Sequence, residues 1–182
     1  MNRGVVAVFG SSRTAPGSPE WDDAVLVGER LATVGYSVVT GGYGGTMEAV
    51  SQGARSVGGE VIGVTADTLF PGRTGANRHV TTVEDVTSLS SRIGRMMEIA
   101  SACIAMPGSI GTAAELGVAW HTNHVLRRGG SALMPVAAVG GQWEVFRSAL
   151  VDGLGAISED IYWADSADEA VDWVINQLHH TA

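Results

Sequence analysis

Short apolar runs that stop at glycine alternate with longer amphipathic runs along the whole chain, and this alternation constrains the fold most. The first run, Val5–Phe9, is rich in β-branched residues and stops at Gly10, as a buried strand does. Ser18 followed by Pro19 then indicates the start of a helix. Strands that alternate with helices favour a parallel sheet covered by helices. We therefore predict an α/β fold, a Rossmann-like doubly wound parallel sheet with helices on both faces.

The same reasoning places the later elements, and no change in composition marks a domain boundary. Further strands are predicted at Tyr36–Thr40, Val61–Thr65, Cys103–Met106, Ala132–Val139 and near Ile161–Trp163. After the first helix, which runs to about Val34, helices are predicted from Thr46 to about Val57, from about Val83 to Ala100, and at Thr112–His124, Gln142–Leu150 and Ala167–Leu178. The irregular segment Ala66–Thr82, with Pro71, Gly72 and Gly75, is a candidate active-site loop, because long loops in compact domains are often functional. Residues 1–182 are expected to form one domain.

The charged residues exclude several classes of function. The formal net charge is −8, which argues against a nucleic-acid partner, because such surfaces bind phosphates through lysine and arginine. All 11 basic residues are arginine. A pyridoxal-phosphate Schiff base and a Walker P-loop both need a lysine, so neither is available here. We expect no cofactor and no metal, since His121 and His124, spaced three apart on a helix, have no evident third ligand.

One cysteine, Cys103, lies in the apolar run Ser101–Met106, where a buried structural thiol is expected rather than a nucleophile. A single cysteine forms no disulfide within the chain, which suits a reducing compartment. The apolar run at the N-terminus is far too short for a signal peptide or a membrane span. These observations predict a cytoplasmic protein with no membrane partner.

Glycine-rich loops follow three of the predicted strands, and the carboxyl ends of parallel strands meet at one edge of a sheet. Two of the loops lead directly into helices, so their N–H groups and the positive end of a helix dipole can hold an oxyanion. A tight turn needs glycine as well, but two such loops favour a phosphate site. The candidate binding residues are Gly10, Ser11, Ser12, Gly41, Gly42, Gly44, Gly45, Gly108, Ser109, Ile110, Gly111 and Thr112.

Two charged residues near the third loop are candidates for catalysis. Glu115 stands three residues after Thr112, the spacing of a capping box in which Thr112 caps the helix and Glu115 reaches back to its first N–H. That structural role and a catalytic role remain equally open, and one carboxylate can serve both. Arg92 lies on the preceding helix, either on a solvated face or over the sheet edge. Arg95 and Met96 are further candidates on the same helix.

The run Pro107–Glu115, PGSIGTAAE, resembles the PGGxGTxxE signature of the LOG family, long mislabelled lysine decarboxylases, some of whose members are cytokinin-activating phosphoribohydrolases. Arg92 falls fifteen residues before Pro107, where that family has its functional arginine. Gly10-Ser11-Ser12 resembles the GSS after the family's first strand. Gly41–Glu48 resembles its GGG…GLMG loop. The resemblance covers roughly Val5 to Trp120.

The resemblance implies hydrolysis of the N-glycosidic bond of a nucleoside 5′-monophosphate, such as a cytokinin riboside monophosphate or an AMP-like nucleotide, to free base and ribose 5-phosphate. The 5′-phosphate would lie on the Gly108–Thr112 turn. Glu115 would orient the ribose or activate water and stabilise an oxocarbenium-like centre, and Arg92 would stabilise the departing base or the phosphate. The family also implies a homodimer, for which tryptophans in the C-terminal half could supply a contact, although burial in the core explains them equally.

The chain departs from the family pattern at three places. Ser109 replaces the second glycine of the signature, and Ile93 stands where the phosphoribohydrolases usually carry lysine. The second loop is one residue shorter and has Glu48-Ala49 in place of glycine. These departures indicate a divergent branch. They keep open a second hypothesis, a non-catalytic carrier or sensor that binds a nucleotide or the molybdenum cofactor with the same loops.

Overall fold

The structure is a computed structural model that describes residues 3–70, 72 and 75–180. Its strands are β1 (Val5–Phe9), β2 (Ser37–Thr40), β3 (Val61–Thr65), β4 (Thr82–Asp85), β5 (Ala102–Ala105), β6 (Val136–Val139) and β7 (Tyr162–Ala164). Its α-helices are α1 (Pro19–Thr33), α2 (Thr46–Ser56), α3 (Leu89–Ile99), α4 (Ile110–Arg128), α5 (Glu144–Leu154) and α6 (Ala167–His180). None of these described helices has the length and apolar character needed to cross a bilayer.

All seven strands form one parallel sheet in the order β4-β3-β2-β1-β5-β6-β7. The chain runs outward from β1 to β4 and then returns to the other side of β1 with β5. The order therefore reverses between β1 and β5, where Phe9 pairs with Ala105. Such a switch leaves a crevice at the carboxyl ends of the two strands, which is where open α/β sheets bind ligands. The predicted Rossmann-like fold is confirmed.

Each face of the sheet carries three helices and its own core. The helices α1, α2 and α6 cover one face, with Val27, Val50 and Val174 fully buried. The helices α3, α4 and α5 cover the other face, where Met96 and Leu116 are fully buried. Burial of both faces explains why the central strands are continuous apolar runs rather than alternating ones.

Glycines let α1 and α2 pack unusually close together. A Cβ atom on Gly28 would lie 2.0 Å from the carbonyl oxygen of Val50, and one on Gly53 would lie 1.9 Å from that of Val25. Both distances are too short for carbon beside oxygen, so each helix presents a glycine to the backbone of the other. Because α2 begins at the second glycine-rich loop, this contact fixes where that loop lies.

The prediction of one continuous helix from Val83 to Ala100 is wrong. Thr82–Asp85 instead forms the edge strand β4, which pairs with β3, and the helix begins only at Leu89. Ser88 caps it by accepting a hydrogen bond from the N–H of Ser91 at 3.0 Å. Strand β4 is largely exposed and therefore lacks the apolar run by which the other strands were recognised.

The capping box predicted at Thr112 is also wrong. Helix α4 begins at Ile110, its N-cap position is Ser109, and Ser109 makes no side-chain capping bond. Thr112 and Glu115 therefore lie inside the helix, and Glu115 is in its second turn rather than bonded back to the first N–H. This frees the Glu115 carboxylate to point elsewhere.

Smaller differences concern element ends and one loop. The strand predicted at Ala132–Val139 is only β6, Val136–Val139, and α4 extends past His124 to Arg128. In the predicted active-site loop Ala66–Thr82, Pro71, Arg73 and Thr74 lie outside the described residues. The described part begins with a short 3-10 turn, Asp67–Leu69. Cys103 is fully buried, as predicted, and burial raises the pKa of its thiol.

Candidate functional site

A cavity of about 260 Å³ opens at the sheet edge where the strand order reverses. Its wall is formed by the ends of β1 and β2 and by residues of α2, α3 and α4. Eight of the residues proposed from the sequence line it together: Gly10, Ser12, Gly41, Arg92, Ser109, Gly111, Thr112 and Glu115. The side chains singled out in distant parts of the sequence thus meet in one place.

Arg92, on α3, reaches over the sheet edge into this cavity and is only 7% exposed. Its Nε donates a hydrogen bond of 2.8 Å to the carbonyl oxygen of Val64 at the end of β3. Its Nη2 lies 3.8 Å from the sulfur of Met47. The guanidinium carbon lies 5.6 Å from the centre of the Tyr43 ring, within the range of a cation–π contact. The solvated-face alternative for Arg92 is therefore wrong.

Gly41 makes room for that guanidinium. A Cβ atom at this position would lie 1.5 Å from Arg92 Nη2 and 2.8 Å from Met47 Sδ. The glycine after β2 is thus required by a side chain that arrives from α3. A tight-turn explanation from sequence does not identify this reason.

Glu115 faces Arg92 across the cavity and is 8% exposed. Burial raises the pKa of Glu115 to about 7, although the charge of Arg92 lowers it. The distance from Arg92 Nη1 to Glu115 Oε1 is 3.5 Å, longer than the 2.7–2.9 Å of a strong charge-assisted bond. The pair is therefore loosely engaged, and Glu115 can hold or release a proton near neutral pH.

The first turn of α4 lines one side of the cavity. The opening N–H groups of an α-helix have no partner within the helix, and Ser109 supplies no side-chain cap. Ser109 has φ −114° and ψ −161°, an extended backbone that any residue adopts, so serine fits the position at which the family signature has glycine. Thr112, with its side chain 2% exposed, completes this turn beside Gly111.

The first two glycine-rich loops brace each other. The N–H of Thr46 donates to the carbonyl oxygen of Ser11 at 2.8 Å, and the hydroxyls of Thr14 and Thr46 share a hydrogen bond of 2.8 Å. Gly45 has φ +71°, and a Cβ atom there would lie 2.3 Å from the same Ser11 oxygen. A Cβ atom on Gly10 would meet Thr46 at 2.4 Å. These contacts explain the glycines as packing requirements.

The other residues proposed from sequence lie outside the cavity wall. Arg95 points to β4, where its Nε donates to Glu84 Oε2 at 2.6 Å, and this hydrogen bond lowers the pKa of the Glu84 carboxyl. Met96 is fully buried in the core beneath α3, and Ile110 is 86% exposed. The remaining ones support neighbouring loops or line adjacent clefts: Ser11, Gly42, Gly44, Gly45 and Gly108.

Sequence reasoning missed the apolar wall of the cavity. Met47, Phe70 and Leu89 line it together with Ile93. Leu89 and Ile93 lie three residues before and one residue after Arg92 on α3, so the helical period places them on the side of the helix that carries Arg92. This spacing could have predicted that they line the cavity. No comparable signal marks Phe70, which lies in the irregular segment after β3.

The sequence profile of the SLOG cluster4 family matches residues 3–128. A probable cytokinin riboside 5′-monophosphate phosphoribohydrolase of Oryza sativa subsp. japonica is 34% identical over 130 residues, which cover 66% of this chain and 57% of the relative. A cytokinin riboside 5′-monophosphate phosphoribohydrolase of Arabidopsis thaliana is 36% identical over 114 residues, which cover 62% and 53%. The match thus spans about half the length of these relatives.

Solved structures with the same fold cover almost the whole chain. The molybdenum cofactor binding protein of Rippkaea orientalis superposes with a TM-score of 0.74 at 20% identity, covering 98% of this chain and 99% of its own. The molybdenum cofactor carrier protein of Chlamydomonas reinhardtii gives a TM-score of 0.70 at 23% identity, covering 97% and 98%. At these identities the likeness establishes the fold alone.

Proposed function

The chain belongs to the SLOG cluster4 family, its resemblance to the LOG family is confirmed, and from that premise we propose that it hydrolyses the N-glycosidic bond of a nucleoside 5′-monophosphate. The products are the free base and ribose 5-phosphate. The observation that carries the proposal is the loosely engaged, buried pair of Arg92 and Glu115, 3.5 Å apart in the wall of the cavity. The first turn of a 19-residue helix lines the same cavity.

The cavity has the right chemistry at each end for such a substrate. The 5′-phosphate binds at the first turn of α4, where the N–H groups and the helix dipole favour an anion. The ribose lies between that turn and Glu115. Glycoside hydrolysis passes through an oxocarbenium-like centre, which a nearby carboxylate stabilises.

The reaction needs a proton acceptor and a group that helps the base to leave. The bond from C1′ to the base nitrogen breaks, and its electron pair leaves with the base. The oxygen of a water molecule bonds to C1′ while Glu115 takes one proton from that water. Glu115 passes this proton to the base nitrogen, so the base leaves as the neutral molecule and the carboxylate is regenerated. Arg92 donates hydrogen bonds to the departing base or to the phosphate. A carboxylate whose pKa is near 7 is well matched to this proton transfer at neutral pH.

A product assay tests the proposal. The purified chain is incubated with a panel of nucleoside 5′-monophosphates that includes AMP, GMP and N6-isopentenyl-AMP, and the free base and ribose 5-phosphate are separated by chromatography. We expect base release from at least one member. Glu115→Gln should lower the rate by about 10²-fold or more, since general acid–base groups contribute on that scale. Glu98→Gln, at an exposed position, is the matched control and should keep the rate.

The second candidate function is a non-catalytic carrier or sensor of a nucleotide or of the molybdenum cofactor, which would use the same cavity. The observation that favours it is Ile93, an apolar residue in the cavity wall where the family's phosphoribohydrolases usually carry lysine. Thermal stabilisation by a ligand, measured together with consumption of that ligand, separates the two candidates, because a ligand that binds the folded state stabilises it whether or not it is turned over. Stabilisation by a nucleotide that is never consumed would replace the hydrolase proposal with the carrier.

A further inference from the structure

Tyr43 lies between the glycines of the second loop, and the guanidinium of Arg92 lies over its ring. Its side chain is almost fully buried, with 3% of the residue exposed. The ring centre is 5.6 Å from the guanidinium carbon of Arg92. The edge of Phe70, which lines the cavity, meets the same ring at 5.5 Å between centroids and an interplanar angle of 74°.

The hydroxyl of Tyr43 is tied to the segment that follows β3. It accepts a hydrogen bond of 2.8 Å from the N–H of Ala66 and donates one of 3.0 Å to Asp67 Oδ1. Asp85, on β4, accepts from the N–H of Asp67 and from the hydroxyl of Thr65. The hydroxyl of Tyr43 is thus part of a hydrogen-bond network that also joins the end of β3 to β4.

Asn77 holds the backbone of the same loop from the other side. Its N–H and its Nδ2 both donate to the carbonyl oxygen of Gly42, at 2.7 and 3.1 Å. Its Nδ2 also donates to the carbonyl oxygen of Tyr43 at 3.0 Å. The described residues on both flanks of the irregular segment, Ala66–Asp67 and Asn77, therefore attach to the second loop at Tyr43 and Gly42.

These contacts determine how Arg92 can move. Its Nε donates to the Val64 carbonyl, and its Nη1 lies 3.5 Å from Glu115 Oε1. The Tyr43 ring, Met47 Sδ and the bare Cα of Gly41 also lie against the guanidinium, so its orientation depends on how they pack. We propose that Tyr43 is a positioning residue that orients Arg92 toward Glu115, and this inference rests on the proposed function.

The titration of Glu115 reports directly on the position of Arg92. Among the described residues, the titratable groups coupled to Glu115 are Arg92 from α3 and Cys103 from β5. Burial raises the pKa of the Cys103 thiol, which stays neutral at physiological pH. Arg92 is then the charge that lowers the pKa of Glu115. If the guanidinium turns away, that pKa must rise further.

The test is a ¹³C NMR titration of the Glu115 carboxyl, assigned by comparison with Glu115→Gln. In Tyr43→Leu, which removes the aromatic face, we expect the midpoint to rise by about one unit, the lower end of the effect of a nearby opposite charge. Tyr43→Phe, which keeps the ring, should shift it much less. Where a substrate is turned over, Tyr43→Leu should lower kcat by about 10²-fold, as a small misplacement of a catalytic group can, with a smaller change in KM.

Tyr36→Leu is the matched control, because Tyr36 is buried to the same degree (4% exposed) but lies before β2. If Tyr43→Leu does not fold, Tyr43→Met fills more of the space and still lacks an aromatic face. An unchanged Glu115 midpoint in folded Tyr43→Leu or Tyr43→Met overturns the inference, whether or not the protein is an enzyme. A shifted midpoint without turnover by any variant supports the positioning role and counts against the hydrolase alone.

Discussion

At the scale of single residues, Glu115 combines a proposed role in catalysis with a cost to stability. Its pKa in the folded chain, about 7, lies above the ordinary value of 4.5, so the folded state binds the proton more tightly than the unfolded chain. Stability is therefore highest at low pH with respect to this group, and it falls as pH rises from about 4.5 through 7. Above that range the Glu115 carboxyl is ionised in the folded protein, and burial of its charge lowers the free energy of unfolding by the full amount.

Glu115→Gln, which should slow the proposed reaction, should accordingly stabilise the protein at alkaline pH. We expect a gain in the free energy of unfolding on the order of 1–3 kcal/mol at pH 8 and little gain at pH 4, since one pKa unit corresponds to about 1.4 kcal/mol. Urea unfolding at both pH values measures it. A difference of equal size at pH 4 and pH 8 would exclude ionisation of Glu115 as its cause. Glu98→Gln, at an exposed position, should show no such pH dependence.

The sequence identified the charged residues of the site better than the side chains that hold them. Arg92, Glu115 and the third loop were recognised from spacing and resemblance, because functional groups of this kind recur at fixed separations. Tyr43 and Met47 were not recognised as supports of Arg92. Their role depends on the distance between α3 and the second loop, which only the packed structure determines.

At the scale of elements, substitution of a helix glycine by alanine should destabilise the protein where two helices are in close contact and stabilise it where the glycine faces open space. Gly28→Ala places a carbon 2.0 Å from the Val50 carbonyl oxygen, so the helices must separate, at a cost of about 1–3 kcal/mol, as for other overpacked cores. Gly94→Ala and Gly153→Ala add a carbon in open space on α3 and α5. They should stabilise their helices by about 0.5–1 kcal/mol.

Urea denaturation of the three variants tests this prediction. If Gly28→Ala is as stable as the unsubstituted protein, the contact between α1 and α2 is looser than the structure has it. The two exposed variants control for the general effect of alanine on helix propensity. Because α2 follows directly from the second loop, Gly28→Ala should also weaken nucleotide binding, which would link helix packing to the site.

Elements were predictable where a buried face left a regular apolar pattern. The runs Val5–Phe9 and Val61–Thr65 were assigned with the bounds that the structure has. The strand β4, Thr82–Asp85, was missed because an exposed edge strand shows no such run. The start of α4 was misplaced because the Thr112-to-Glu115 spacing of a capping box occurs here within a helix that had already begun at Ile110.

At the scale of the whole molecule, apolar side chains are unevenly distributed over the surface. Five of the nine large apolar side chains exposed among the described residues lie on α4 and α5: Ile110, Val118, Val125, Val145 and Leu154. A cleft of about 440 Å³ runs between these two helices and is lined by Trp120 and Phe146. Exposed apolar side chains and an apolar cleft on the same two helices are features of interaction sites.

We propose that a second copy of the chain covers this face in a homodimer, in which the same patch serves both partners. Light scattering at micromolar concentration should give twice the mass of the chain. Val118→Glu combined with Leu154→Glu should reduce it to the monomer mass by placing charges in the contact. Val57→Glu, at an exposed apolar position at the end of α2, should leave the dimer intact. A monomeric unsubstituted protein would refute the proposal.

Backbone atoms form much of the candidate site, and this determines which positions of the sequence can vary during evolution. The Val64 carbonyl accepts a hydrogen bond from Arg92, and the first turn of α4 lines the cavity. Exchanging the side chains of Ser109 or Ile110 leaves those backbone atoms in place, whereas the side chain of Val64 is fully buried in the core. Descendants of one ancestral gene can therefore differ at Ser109 and Ile110 and keep the same backbone, whereas a larger residue at Gly41 requires a change at Arg92 as well.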